Sequence, residues 1–365
     1  MRTISVDLEA IASNYKKLKS LTSAKVMAIV KADAFGHGMI EVSKKLESIG
    51  VDMLATADLD EAQLIRDAGI QSPLLAWLHG SETNFAQAIK SNIQIGLSTV
   101  QGLENVATAA REVSGRAKVH LKVDTGLGRN GASLSDWPTV IKKAVELESE
   151  GLIELVGVFS HLSGTSAKDD ADQLAVFEQA IATAKSLGAN FKLRHLAASA
   201  ATLSNEAAHL DMVRVGIALY GLDPTAHIKA ADFGLVPAMR VSSEVVSVKQ
   251  VPAGHGVSYG YLHKTTSATT LALVPFGYAE GMPRIATGRA SVLLNGKRYP
   301  ILARVAMDQF ILDVGGDQVS VGDEVVIFGN AAKGEPTAEE LALAAETINY
   351  EIVTRIGGRA KRVFK

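Results

Sequence analysis

The sequence predicts an α/β fold in two parts: an N-terminal (β/α)8 TIM-type barrel over residues 1–233 and a mostly β C-terminal domain over residues 234–365. Three observations carry this. Eight short β-like runs alternate with stretches of helical period, the pattern of a parallel sheet with helical crossovers. After about Gly234 the helical period fades and strand signals dominate. A doubly wound open sheet would give the same alternation, but no glycine-rich dinucleotide fingerprint follows the first run, which disfavours it.

The runs lie at Val26–Val30, Asp52–Ala55, Pro73–Trp77, Ile93–Leu97, Lys118–Val123, Ile153–Phe159, Phe191–Leu196 and Met212–Leu219. Eight is the number that closes a barrel. Between them lie amphipathic segments. In Leu59–Ala68 the residues Leu59, Ala62, Leu64 and Ile65 share a face, and Gln173–Leu187 carries Leu174, Phe177, Ile181 and Ala184 at helical spacing. The second domain offers strands at Val241–Val248, Thr269–Val274, Ser291–Leu294, Lys297–Ile301, Phe310–Val314 and Glu324–Phe328, then a helix near Thr337–Thr347. Asn295-Gly296 is a hairpin signal, because both central turn positions need positive φ and these residues tolerate it best. The first few residues of the chain are expected to pair with the C-terminal domain.

Composition narrows the function classes. A length of 365 residues leaves room for two domains and a real core. The formal charge of −2 provides no basic footprint of the kind a phosphate backbone requires, so no nucleic-acid partner is expected. No apolar stretch reaches bilayer length, and the first residues lack the apolar segment of a secretory signal. No membrane association and a cytoplasmic location are therefore expected. The absence of cysteine excludes disulfides, thiolate metal sites and cysteine nucleophiles together, and no metal site is expected.

In a barrel of this kind chemistry belongs at the carboxyl ends of the strands. Run one delivers Lys31 there, just before the glycine-containing turn Ala34-Phe35-Gly36-His37-Gly38. Burial at such a strand end lowers a lysine pKa, and a neutral amine can form a Schiff base. Run five ends in Lys122-Val123-Asp124-Thr125-Gly126 with Arg129 beyond; run six ends at Ser160-His161; Ala198-Ser199 follow run seven; Arg214 and Gly216 lie in run eight. Loops after strands seven and eight commonly hold a phosphate, a role that suits Ser199 with the amides of Gly216 and Ile217. Each residue alone has an ordinary alternative: a surface ion pair for Arg129 or Arg214, a packed core ring for His161, a helix cap for Ser199. Together, an amine, arginines and a phosphate cradle at one mouth describe a site for pyridoxal 5′-phosphate (PLP). In the second domain Tyr259 is framed by glycines in Gly256-Val257-Ser258-Tyr259-Gly260, which by itself is equally a tight loop with a packed ring.

These blocks resemble the fold-type III PLP enzymes, specifically the alanine racemase family. The resemblance runs nearly end to end. It takes in Ala28–Gly38, Lys122–Gly126 with Arg129, Val213–Gly221, Val257–Gly260, Phe276–Gly281, Arg304–Gln309 and Thr347–Glu351. It implies that Lys31 holds PLP and is the base on one face of the substrate α-carbon, with Tyr259 the base on the other; a racemase needs a group on each side. Because a tyrosine pKa near 10 is high for a base, it further implies nearby positive charge, from Arg129 and the pair His161 and Arg214. Arg214 would face the pyridine nitrogen; Ser199, Gly216, Ile217 and Tyr350 would hold the phosphate; Arg129 and the Met307 amide would engage the substrate carboxylate. The family pattern brings Tyr259 and Met307 from the other subunit of a homodimer, and Lys122 matches a lysine that some members carbamylate. The implied activity is interconversion of L- and D-alanine, a small amino acid substrate, supplying D-alanine for peptidoglycan.

Several positions depart from the pattern. Phe35, beside the cofactor, replaces a tyrosine that bonds the phosphate, a loss of about 0.5–1.5 kcal/mol, or up to ~3 for a charged acceptor. Ala198 stands where asparagine is common, Ala306 where cysteine is frequent and Glu280 where aspartate is usual. Three alternatives compete. A non-catalytic PLP-binding protein usually ends with the barrel, and a basic amino acid decarboxylase relies on a cysteine this chain lacks. A broader racemase acting on serine would use the same catalytic pair.

Overall fold

The computed structural model describes all 365 residues, Met1–Lys365. After β1 (Thr3–Val6) come β2 (Lys25–Ile29), β3 (Met53–Thr56), β4 (Leu74–Ala76), β5 (Gln94–Leu97), β6 (Ala117–Lys122), β7 (Ile153–Phe159), β8 (Leu193–His195) and β9 (Met212–Val215). β2 to β9 are parallel and adjacent in the order β8-β7-β6-β5-β4-β3-β2-β9, a nearly closed eight-stranded barrel. The seam between β8 and β9 holds no ladder. It is joined by a bridge between Ala198 and Arg214 and by the Arg214 amide donating to the Ala197 carbonyl at 2.9 Å. The interior strands are buried at nearly every position, which is why they read as continuous apolar runs rather than alternating ones.

In the barrel domain Leu64, expected on the buried face of its helix, is exposed, and two elements differ in extent from the sequence reading. The last run stops at Val215, not Leu219, because Gly216 turns the chain and Ile217–Tyr220 form a 3-10 turn. All four of those residues are buried, and an unbroken apolar run does not distinguish strand from buried turn. The helix read from Gln173 begins at Ala167, capped by Ser166; its first turns carry Lys168, Asp169 and Asp170 and show no apolar stripe.

The C-terminal region contains β10 (Met239–Glu244), β11 (Ser247–Val251), β12 (Gly256–Val257), β13 (His263–Lys264), β14 (Thr269–Val274), β15 (Ser291–Leu294), β16 (Lys297–Pro300), β17 (Phe310–Gly315), β18 (Glu324–Phe328) and β19 (Lys361–Phe364). They form a six-stranded sheet in the order β16-β15-β18-β10-β1-β19, a three-stranded sheet β11-β14-β17 and a two-stranded sheet β12-β13. β1 therefore lies inside the second sheet, antiparallel to β10 and parallel to β19. The expected run Val241–Val248 is two strands, broken at Val245-Val246 where the chain leaves one sheet for the other. Asn295 and Gly296 turn the β15–β16 hairpin with φ of 51° and 78°. Beyond the expected helix, seen at Ala338–Ala344, a second covers Asn349–Arg355 and carries Tyr350 towards the barrel mouth. One continuous apolar core runs from the barrel into this region.

Candidate active site

At the carboxyl ends of the barrel strands a cavity of about 460 Å³ is lined by Lys31, Phe35, Lys122, Arg129, His161, Ser199, Arg214, Gly216, Ile217 and Tyr350, with Trp77, Ala198 and Thr225 among its other walls. Ten residues singled out from sequence thus converge on one space. Tyr259 and Met307 do not reach it within the chain: they are 71% and 53% exposed, and Tyr259 borders a separate hollow with Tyr261 and Gln309.

β6 shows how local pattern aims side chains inward. Alternation puts His120 and Lys122 on one face and Val119 and Leu121 on the other. Lys122 is buried, its ammonium 5.5 Å from the Phe159 ring centroid and with no hydrogen-bond partner. Burial, then the neighbouring Arg214 and Arg129, push its pKa down to about 8. Lys31 is lowered for the same kinds of reason, burial first and Arg129 second, with Glu61 opposing.

Arg214 is buried and has no carboxylate partner. Its Nη1 donates to the His195 carbonyl at 2.8 Å, and its Nη2 to the carbonyls of Ser160 at 2.7 Å and Leu196 at 3.0 Å. Nη1 also meets His195 Nδ1 at 3.3 Å and Nη2 meets His161 Nδ1 at 3.1 Å. Burial, and secondarily Arg129, push its pKa down to about 9, still charged near neutrality. Its Nε–H has no partner in the protein and is free for an acceptor in the cavity.

An arginine can only donate, so both histidine Nδ1 atoms facing Arg214 accept. That sets the polarity of a buried chain. His195 Nε2 must carry hydrogen and donate to His120 Nδ1 at 2.9 Å, and His120 Nε2 then donates to Gln94 Oε1 at 2.7 Å. Gly157 makes room for this: a Cβ there would collide with the His120 ring. His161, expected to contribute positive charge, does not. Burial first, then Arg214, Arg129, Lys122 and Lys31, push it down to about 3, so it is a neutral acceptor and the positive charge is that of the arginines and lysines. The sequence reading missed His195 and His120; the signal was a polar residue at every second position of Lys118-Val119-His120-Leu121-Lys122, inside a strand otherwise apolar.

These neutral histidines predict a pH dependence. His37, His120 and His195 are fully buried, and burial pushes His37 to about 4, His120 to about 3 and His195 well below its ordinary value. The unfolded chain takes up protons below about pH 6.5 and the folded chain does not, so stability is full above that pH and is lost as pH falls towards the folded values. Together the three are expected to cost a few kcal/mol of stability between pH 7 and 5. Urea midpoints at pH 7 and 5 check this; equal midpoints contradict it.

Ser199 opens the helix Ser199–Ser204, and its Oγ accepts from the Gly216 amide at 2.9 Å and the Ala218 amide at 3.3 Å. Its own hydroxyl proton has no acceptor in the protein. A Cβ at Gly216 would press on the Phe35 ring, which packs between Tyr220 and Tyr350 at centroid distances of 5.1 and 6.2 Å. Tyr350 Oη donates to the Pro224 carbonyl at 3.3 Å, and burial raises its pKa to about 12.

The comparisons with known proteins agree along the whole chain. Residues 6–224 match the family described as "Alanine racemase, N-terminal domain" and residues 238–364 the family described as "Alanine racemase, C-terminal domain". An alanine racemase of Frankia casuarinae is 46% identical over 98% of this chain and 94% of its own length. The crystal structure of alanine racemase from D-cycloserine-producing Streptomyces lavendulae superposes with a TM-score of 0.98 at 42% identity, over 100% of this chain and 97% of that one. The alanine racemase of Bacillus anthracis with bound L-Ala-P does so with a TM-score of 0.90 at 33% identity, over 100% and 95%. Fold, cavity and both sequence halves lead to one conclusion: the chain belongs to the alanine racemase family of isomerases.

Proposed function

We propose that this protein uses PLP to interconvert L- and D-alanine with Lys31 and Tyr259 as bases on opposite faces of the α-carbon, in a homodimer that shares its sites. The observation that carries this reading is the content of one cavity: a lysine of lowered pKa, a buried arginine with a free Nε–H and no anion, and a serine with an uncommitted hydroxyl proton. These fit the cofactor's aldehyde, ring nitrogen and phosphate in turn.

When bound, the cofactor supplies an electron-withdrawing ring that makes the α-proton of an attached amino acid removable. Lys31 would hold the group, and its amine, whose pKa burial and Arg129 lower, would take or return a proton at Nζ. The Ser199 hydroxyl and the Ile217 amide would hold the phosphate, joined by the Gly216 amide and the Tyr350 hydroxyl once these exchange Ser199 Oγ and the Pro224 carbonyl for it, while Phe35 packs beside it without donating. Arg214 would face the ring nitrogen and, as a guanidinium that keeps its proton at neutral pH, would not protonate it. A ring so held would be a weaker electron sink, which would restrain side reactions such as transamination. Arg129, exposed at the mouth, and the Met307 amide engage the substrate carboxylate. Lys122, buried without a partner and with its pKa near 8, is suited to carbamylation, and the carboxylate so formed would orient Arg129.

Support for the homodimer comes from the surface. Tyr259, Tyr261, Leu262 and Met307 are all more than half exposed, an aromatic and apolar group of the kind that marks an interface. From a partner, Tyr259 would enter a cavity that carries the positive charge of Arg129 and Arg214. No helix is long and apolar enough to cross a membrane. We place the enzyme in the cytoplasm, supplying D-alanine for peptidoglycan.

The test is to incubate the protein with PLP and each alanine enantiomer separately in deuterated water. Both solutions are expected to lose optical rotation while the α-position takes up deuterium. Retention of rotation by both isomers rejects the proposal.

A further inference from the structure

Directly after Lys31 the backbone takes a course that L-amino acids avoid. Ala32, Asp33, Ala34 and Phe35 have φ of 52°, 53°, 55° and 54°, a turn of left-handed helix made from four consecutive non-glycine residues. Cβ crowds the following carbonyl in this region, so such residues occur singly as a rule. A run of four persists only where the surroundings over-determine it.

Two sets of contacts do so. On the barrel side, the buried His37 ring meets the carbonyls of Ala34 and Phe35 through Nδ1 at 3.1 and 3.0 Å and stacks on Tyr220 at 4.4 Å; Tyr220 Oη in turn donates to the Ile29 carbonyl at 2.9 Å. On the other side stands the end of the chain. Arg362 on β19 places Nη1 2.9 Å from Asp33 Oδ2, while its Nη2 donates to the Gly36 carbonyl at 2.9 Å. Asp33 Oδ1 accepts from the Met39 amide at 2.7 Å, so the carboxylate is fixed at both oxygens. Phe364 lies against Gly38 so closely that a Cβ there would overlap its ring.

We propose that Arg362 is a positioning residue for Lys31. It ties the last strand of the second sheet to the left-handed turn and so keeps the amine aimed into the cavity, a role that rests on the reading of Lys31 as the residue that holds PLP. Exposed ion pairs contribute little in general. Here the Asp33 side chain is 52% exposed but the Arg362 side chain is only 27% exposed, and the guanidinium grips a main-chain carbonyl as well as a carboxylate, both within the left-handed turn itself. A planar guanidinium can span both acceptors; a lysine ammonium is a single point.

The experiment compares the full-length holoenzyme with Arg362→Gln, Arg362→Lys, Asp33→Asn and, as control, Arg298→Gln, which likewise removes an ion pair (with Glu340) together with hydrogen bonds to main-chain carbonyls (of Glu335 and Gly334), but far from the left-handed turn. Two quantities are read: the rate of cofactor loss, from its visible absorbance during dialysis, and amide hydrogen exchange over residues 32–38. Arg362→Gln is expected to speed both by about tenfold, the size of one charge-assisted hydrogen bond. Exchange in β4 and β5 should stay at the native rate, which a general loss of stability would not allow. Asp33→Asn keeps an oxygen for the Met39 amide and should reproduce the effect in part, and it serves if Arg362→Gln does not fold. Arg362→Lys should recover part of the loss, and Arg298→Gln none of the phenotype. Native rates of both processes in Arg362→Gln, full recovery in Arg362→Lys, or an equal effect of Arg298→Gln overturns the proposal. If the unsubstituted protein itself shows no lysine-linked absorbance, the cofactor reading fails instead, and hydrogen exchange still judges the clamp.

Discussion

Lys31→Ala is expected to abolish the visible absorbance of bound cofactor and to lower racemisation by at least about 10³-fold, because it removes both the covalent attachment and one base. The fold should survive. Lys31 is half-buried at a strand end, outside the apolar core, and its pKa is already lowered by burial and by Arg129, so its removal relieves an unfavourable charge placement rather than emptying a packed site. Arg214, Ser199 and the amides of Gly216 and Ile217 remain, so loose binding of the cofactor through its phosphate and ring should persist, detectable by equilibrium dialysis. A variant that keeps the lysine-linked absorbance would show that another amine is used; Lys122 is the amine in the same cavity that would then be examined.

Tyr259→Phe is expected to leave cofactor binding intact and lower turnover in both directions by about 10²–10⁴-fold, the usual worth of a positioned acid or base. The more incisive version mixes the two inactive proteins. If each site takes Lys31 from one chain and Tyr259 from its partner, a mixed dimer of Lys31→Ala and Tyr259→Phe has one site with both defects and one with neither. Random exchange makes half of the dimers mixed, so activity should rise from near zero to about a quarter of the native value. A mixture that stays inactive after subunit exchange has been verified by mass spectrometry would place both bases within one chain, which the 71% exposure of Tyr259 and its absence from the Lys31 cavity make hard to arrange.

How much of this was legible before folding depends on the range of the interactions concerned. The strand β7 was read to the residue, and the Asn295-Gly296 hairpin was read with its turn chemistry, since strand pattern and positive φ are properties of a few neighbouring residues. Ile217–Leu219 was misread because a buried 3-10 turn and a buried strand present the same unbroken apolar string. The helix Asn349–Arg355 was missed because it is short and carries Tyr350 on a face that only the barrel mouth explains.

By itself the sequence determined the alternation of strands and helices, the change to β structure near Gly234, and the delivery of Lys31, Arg129, His161, Ser199 and Arg214 to strand ends, because side-chain period and strand termini are local. Tertiary structure decided the rest. It made His161 neutral, oriented the chain from Arg214 through His195 and His120 to Gln94, and held four residues after Lys31 in a left-handed turn. Burial, proton polarity and strain are set by groups far apart in the chain, and no window of neighbouring residues contains them.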